Sequence, residues 1–302
     1  EEKLRACLEK ENGFTPALTD LSMLLYRKMN YNEALSFAKK ALSINTYDPA
    51  ANYYYGLINK QLGKKTDAID GFDIATQSEE YRTPAFTELA KMYFSSEDIA
   101  NEKAKYYAEK ALLYNQQNID ALQVLAVIYR LQKDKPKATG ILNRIRQADP
   151  INNFVQLENY LWEKTDESRK ALAGSIQNEM PDQSFLEMAL WYYSIGCLAD
   201  CQQALQLSPP SAEINYWLAY LNKSTPAEKM YYDKAKESGI VSAFPFRTES
   251  AIPLRWFVQH SHDWQPTFVL GLIEGAAGNL GTAKELMLGC AQQPNNAVFY
   301  ST

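Results

Sequence analysis

Two short runs hold the side chains best suited to chemistry. Cys197 and Cys201 stand one helical turn apart, the spacing of a dithiol or of half a zinc site, and His260-Ser261-His262-Asp263 holds both histidines of the chain beside a carboxylate. A structural zinc takes four ligands at characteristic spacing, and neither run has a second group of Cys, His or acidic ligands nearby in sequence. The cysteines instead occupy the small-residue positions of a repeated pattern, where a reduced cysteine behaves as a compact buried hydrophobe. The histidines fall where a helix is expected to end, and a histidine there serves the last free carbonyls. No G-x-S-x-G elbow, phosphate-binding loop or dinucleotide-binding glycine run occurs, and the carboxylates are scattered over expected helix surfaces. The sequence therefore reads as non-enzymatic, with no catalytic residue, no cofactor and no metal.

What remains is recognition, and composition narrows its kind. The chain has 302 residues, 46% hydrophobic and 12% aromatic with 20 tyrosines, enough to bury a large, well-filled core. Its 31 basic and 36 acidic residues are interleaved and sum to −5, so no basic stripe is present to neutralise phosphates and nucleic acid is not an expected partner. No apolar run approaches the roughly 18 residues of a membrane span. Four cysteines are too few for a disulfide scaffold and do not fix the compartment. The opening EEKLRACLEK has neither Met nor a signal-type apolar block, so the sequence reads as a piece of a longer protein whose localisation is left open.

The elements that position any site come from a repeat. Cys7, Ala41, Ala75, Ala111 and Ile145 are spaced by 34, 34, 36 and 34 residues. Ala34, Ala68, Ala104 and Ala138 form a second column, and Ser22, Gly56, Ala90 and Ala126 a third, which places a two-residue insertion between the helices of the third copy, around Ser95 to Asn101. The segment Tyr53 to Ala75 is the best-formed copy: Gly56 lies on a first helix, Leu62-Gly63-Lys64 makes a turn, and Ala68, Phe72 and Ala75 share one face of a second. Small residues at i and i+7 with an aromatic between them set how closely two helices approach.

This pattern resembles the tetratricopeptide repeat family, a 34-residue unit with W-x2-L-G-x2-Y, A-x3-F and a closing proline. The fourth copy carries Leu122, Leu125-Ala126, Tyr129, Ala138, Leu142 and Asp149-Pro150, and the third Phe86, Leu89-Ala90, Tyr93, Ala104 and Ala111. The tryptophan position is never Trp in the first four copies, and Thr46 replaces the proline of the first. The resemblance implies an all-α fold, a right-handed α-α superhelix or solenoid of seven or eight helical hairpins. Residues 1–151 are expected to hold a half repeat plus four regular copies. Residues 152–302 read as a degenerate continuation with an irregular insertion at about 239–263, one continuous solenoid in all. Beyond Pro150 the expected pieces are a helix pair over residues 153–181, units around Met188 to Pro210 and Tyr216 to Lys236, a non-helical AFPFR core, a lone helix from Glu249 to His260, and a last unit from Pro266 to Pro294 before NNAVFYST.

The irregular half also resembles the C-terminal helical region of large bacterial proteins of unknown function that carry a mutarotase- or galactosidase-like β-sandwich domain ahead of it. That resemblance transfers no residue role; it implies a structural or regulatory arm of a carbohydrate-related protein in the bacterial cytoplasm or periplasm. The repeat family more often implies an interaction scaffold whose first helices line a concave groove for a protein or peptide segment. Carried onto this chain, the groove positions include Tyr26, Arg27, Tyr53, Lys60, Lys91, Phe94 and Arg130, followed by Trp162, Tyr193, Tyr216 and Tyr220. Aromatic bodies among basic heads suit segments with acidic and apolar side chains. Thr19 and Met23 stand where a carboxylate clamp needs Lys and Asn, so capture of a chain terminus is not expected. End-to-end self-association of an array with bare ends is a further expected contact.

Overall fold

The structure, a computed structural model, describes residues 1–239, 247–261 and 263–290. Among them the regular elements are 18 α-helices and one short 3-10 turn, and no helix is long and apolar enough to cross a membrane. The described residues fall into two compact units, 1–176 with 194–197, and 177–193 with those described between 198 and 290.

The first unit runs α1 (Glu2–Lys10), α2 (Thr15–Arg27), α3 (Tyr31–Ile44), α4 (Pro49–Gln61), α5 (Lys65–Ala75), α6 (Arg82–Tyr93), α7 (Glu102–Tyr114), α8 (Ile119–Leu131), α9 (Lys135–Ala148), α10 (Phe154–Glu163) and α11 (Asp166–Ser175). From α2 onward, even-numbered helices are the first of each hairpin. Their starts are written in the sequence: the side chains of Asp48 and Asn118 accept from the backbone N–H of Ala51 and Ala121 at 2.7 and 2.9 Å. Such caps satisfy donors that the first turn leaves without partners.

The turn inside each hairpin also follows the repeat. Met29, Gly63 and Lys133 each stand seven residues after the small column and adopt φ of 59°, 72° and 58°, the left-handed residue that ends a helix and reverses the chain. In the third copy the insertion replaces this turn with residues 94–101, organised by buried Asn101. Its side chain accepts from Ser95 N at 2.8 Å and donates to the carbonyls of Ser95 and Asp98.

The three small columns are buried except at Cys7, which is half-buried. Ser22 Oγ donates to the Ala34 carbonyl at 3.0 Å across the first hairpin. Gly71 adds a contact that the periodicity does not announce. A Cβ there would stand 2.7 Å from the Asn52 carbonyl oxygen and 2.9 Å from Gly56 N, so α4 and α5 meet backbone to backbone. At Gly56 the ring of Phe72 fills the space, 2.7 Å from where a Cβ would be.

The second unit contains α12 (Pro181–Ser194), α13 (Leu198–Leu207), α14 (Ala212–Leu221), α15 (Pro226–Glu237), a 3-10 turn (Thr248–Ser250), α16 (Ala251–His260), α17 (Trp264–Ala276) and α18 (Leu280–Gly289). The lone helix is α16, two residues shorter at its start because the chain enters through the 3-10 turn. α14 starts at Ala212, four residues before the expected Tyr216, because Ser211 caps the Ile214 N–H. The expectations for most of the AFPFR core, for His262 and for NNAVFYST lie outside the described residues.

Candidate functional site: the first-helix face

In the first unit the expected recognition residues all sit on or at the end of first helices: Tyr26 and Arg27 on α2, Tyr53 and Lys60 on α4, Lys91 on α6 with Phe94 as its C-cap, Arg130 on α8 and Trp162 on α10. Four of them, Tyr26, Lys60, Phe94 and Arg130, occupy one repeat position, four residues after the small column. Two positions before the small column of the next hairpin stand Tyr54, Glu88 and Val124, and Glu158 takes the same place in α10, where Tyr160 fills the column position. The two ion pairs among these close directly: Lys60 Nζ to Glu88 Oε2 at 2.6 Å and Arg130 Nε to Glu158 Oε2 at 2.8 Å. Tyr26 and Tyr54 pack on the same core cluster, and Phe94 and Val124 are both buried.

This position therefore couples each hairpin to the next. Lys60 and Arg130, expected to face a partner, are engaged by neighbouring carboxylates, and Phe94, 6% exposed, lies in the core. Lys91 is engaged likewise, with Asp120 Oδ2 at 2.9 Å and Glu88 Oε1 at 3.4 Å. The signal was available as a basic residue followed 28 residues later by an acid, repeated at Lys60/Glu88 and Arg130/Glu158. Tyr53 is half-buried, its ring 5.4 Å from Tyr81 and 5.8 Å from Phe72, and burial, then Glu88, push its hydroxyl well above the usual tyrosine range. Trp162 is half-buried, with Lys135 Nζ 5.9 Å from its ring centroid. Arg27 is exposed.

The ladder makes the unit acid-sensitive. Burial raises the Glu88 carboxyl, but Lys60 and Lys91 outweigh it and hold it at about 2, down from 4.5. A folded-state pKa below the unfolded value gives stability that is present above about 4.5 and lost as pH falls toward about 2. Urea midpoints measured across that window should fall with pH, and the Glu88→Gln variant should start lower at neutral pH and show a flatter profile.

In the second unit the first-helix face is aromatic. Tyr193 on α12, Tyr220 on α14 and Trp256 on α16 are half-buried, and Trp217 joins them from beneath. The ring centroids of Tyr193 and Trp217 are 5.0 Å apart, those of Trp217 and Tyr220 6.1 Å, and those of Tyr220 and Trp256 6.4 Å. Burial and a hydrogen bond with Tyr220 raise the Tyr193 hydroxyl. Lys223 Nζ lies 4.3 Å from the Tyr220 centroid, and His260 stacks on Trp256 at 4.4 Å. Tyr216 is not part of this surface: it is 2% exposed, wedged against Phe257 and Tyr232 at 5.6 and 6.0 Å. It lies one residue before Trp217, itself fully buried, and points about 100° away from it.

Burial pushes the Cys201 thiol up to about 12, with Asp200 adding to it, and the Cys290 thiol up to about 11. Both stay protonated at neutral pH. Among the described residues no three His, Cys, Asp or Glu side chains cluster at ligand distance.

The sequence matches no family model and no curated protein. Among solved structures it is similar to a tetratricopeptide repeat protein from Parabacteroides merdae, 15% identical over 96% of this chain and 90% of that one, with a TM-score of 0.47. It is also similar to YrrB, described as a TPR protein with an unusual peptide-binding site, at 17% identity over 67% of this chain and 97% of YrrB, TM-score 0.46. Human IFIT1, as a dimer with m7Gppp-AAAA, is 16% identical over 98% of this chain and 77% of its own, TM-score 0.43. These are similarities of fold, and no residue role passes across them.

Proposed function

We propose that the chain is a non-catalytic scaffold that holds a peptide or protein segment on the first-helix face of its second unit. The observation that carries this reading is the strip Tyr193, Tyr220 and Trp256, spread over three helices with part of each ring exposed and Lys223 at its edge. Aromatic side chains offer large, rigid contact area at small entropic cost, and a lysine beside them favours an acidic residue in the bound segment. In the first unit the basic side chains of the equivalent face are engaged in coupling hairpins, so its contribution rests on Arg27 and the exposed edge of Tyr53.

The test takes peptides selected from a random display library against the purified chain and measures their dissociation constants by fluorescence anisotropy. Tyr220→Ala should weaken binding about 30-fold, the loss typical of a central anchor, and Lys223→Ala should reduce the salt dependence, with melting curves retained in both. Selected peptides that bind these variants as tightly as the parent chain would overturn the assignment.

A further inference from the structure

The second helices of the first unit present an outer face that the segment-binding role does not use. On α5 the residues turned away from the buried columns are Asp67, Asp70 and Asp73, and the helix carries only one basic residue, Lys65. On α9 they include Lys137 and Arg144, in a helix with four basic residues and no acidic one. Between them α7 exposes Tyr106 at 52% and Leu113 at 67%, flanked on the same helix by the exposed Glu102, Lys103 and Glu109. These faces adjoin: Tyr107 of α7 packs on the cluster that holds Ala68, Phe72 and Ala75 of α5, and Arg144 Nη2 donates to the Gln116 carbonyl just past the end of α7 at 3.1 Å.

The charges also share heights. Asp67 and Lys137 each stand one residue before the alanine column, at Ala68 and Ala138, while Asp73 and Arg144 stand five and six residues after it. Gly140, level with Asp70, has nothing within 4 Å of where its Cβ would be. An acidic flank, an apolar centre and a basic flank in that order are self-complementary under a two-fold axis. Rotation about an axis along α7 sets α7 against α7 and exchanges α5 with α9, as a closed isologous interface requires.

We propose that this face is a dimerisation surface whose occupant is a second copy of the chain, with Asp67 and Asp73 of one copy opposite Lys137 and Arg144 of the other and Tyr106 and Leu113 at the centre. Light scattering on size-exclusion eluate should show a dimer at low salt that weakens as salt rises, since exposed charge pairs are screened. Reversing one flank, Asp67→Lys with Asp73→Lys, sets like charges against α9 on both sides of the axis and should weaken the dimer at least about 30-fold. Lys137→Glu with Arg144→Glu should do the same.

Mixing the two variants re-pairs every flank, base against acid on one side and acid against base on the other, so the mixture alone should regain the parent's dimer. Melting curves of each variant establish that it is folded, and Leu113→Asp should give a folded monomer at all salt concentrations. A parent chain that stays monomeric at low salt, or a dimer indifferent to the reversals, or variants that fail to associate on mixing, would each overturn the proposal.

Discussion

Replacing Arg130 with methionine should destabilise the first unit by about 3–5 kcal/mol, the loss expected when one member of a buried ion pair is removed and the other stays charged. Glu158 is 2% exposed and Arg130 Nε lies 2.8 Å from its carboxylate, so the variant takes a cation away from a buried anion between α8 and α10. Removing both charges is a different matter. In the preceding hairpin the same two positions are filled by Phe94 and Val124, both buried, which shows that this junction accepts an apolar pair. Arg130→Met with Glu158→Leu should therefore recover most of what the single change loses. Urea unfolding followed by circular dichroism checks both, and an Arg130→Met variant as stable as the parent would return Arg130 to the role of a partner contact.

The second large effect belongs to a residue with no side chain. Gly71→Ala should cost about 1–3 kcal/mol or somewhat more, because the added methyl meets the Asn52 carbonyl and Gly56 N, backbone atoms that cannot rotate away. The same substitution at Gly275 should have the opposite sign. Its Cβ would stand 3.6 Å from the Ala283 methyl, an ordinary contact, and alanine in a helix interior is favoured over glycine by about 0.5–1 kcal/mol. Melting curves of the two variants should move in opposite directions. A Gly71→Ala chain that melts with the parent would mean that α4 and α5 are further apart than described.

The spacing of small residues was enough to place helices, turns and core columns through Pro150, because a packing distance repeated every 34 residues leaves little freedom in which residue fills it. It was a poorer guide to which surface residues are available. Lys60 and Phe94 share a repeat position yet one is charged and one apolar, and each is matched by Glu88 or Val124 on the following helix. A residue's partner in such a fold comes from the next copy, so reading one copy at a time makes coupling residues look like recognition residues. Tyr216 differs from its expected place because α14 is buried on most sides: Tyr216 and Trp217, about 100° apart on the helix, are both enclosed, and Tyr220 is the aromatic of α14 left half-buried. Nothing in the repeat announces Gly71, because the same position in the other copies, three residues after the alanine column, holds the large residues Phe37, Tyr107 and Ile141. Close backbone approach at one hairpin is a property of that pair of helices alone.

The uneven placement of large aromatics gives the two units separate optical signatures. Trp191, Trp217, Trp256 and Trp264 lie in the second unit and Trp162 alone in the first. The first unit instead stacks Tyr93 on Tyr107 at 5.3 Å and Phe86 on Tyr114 at 6.0 Å. Intrinsic emission excited in the red edge of the indole band thus reports on the second unit, and a Trp162→Phe chain reports on it exclusively. Thirteen of the 20 tyrosines lie in the first unit, so tyrosine bands in the near ultraviolet are weighted toward it. Loss of the two signals at different denaturant concentrations would make the order in which the units come apart directly visible in one unlabelled sample.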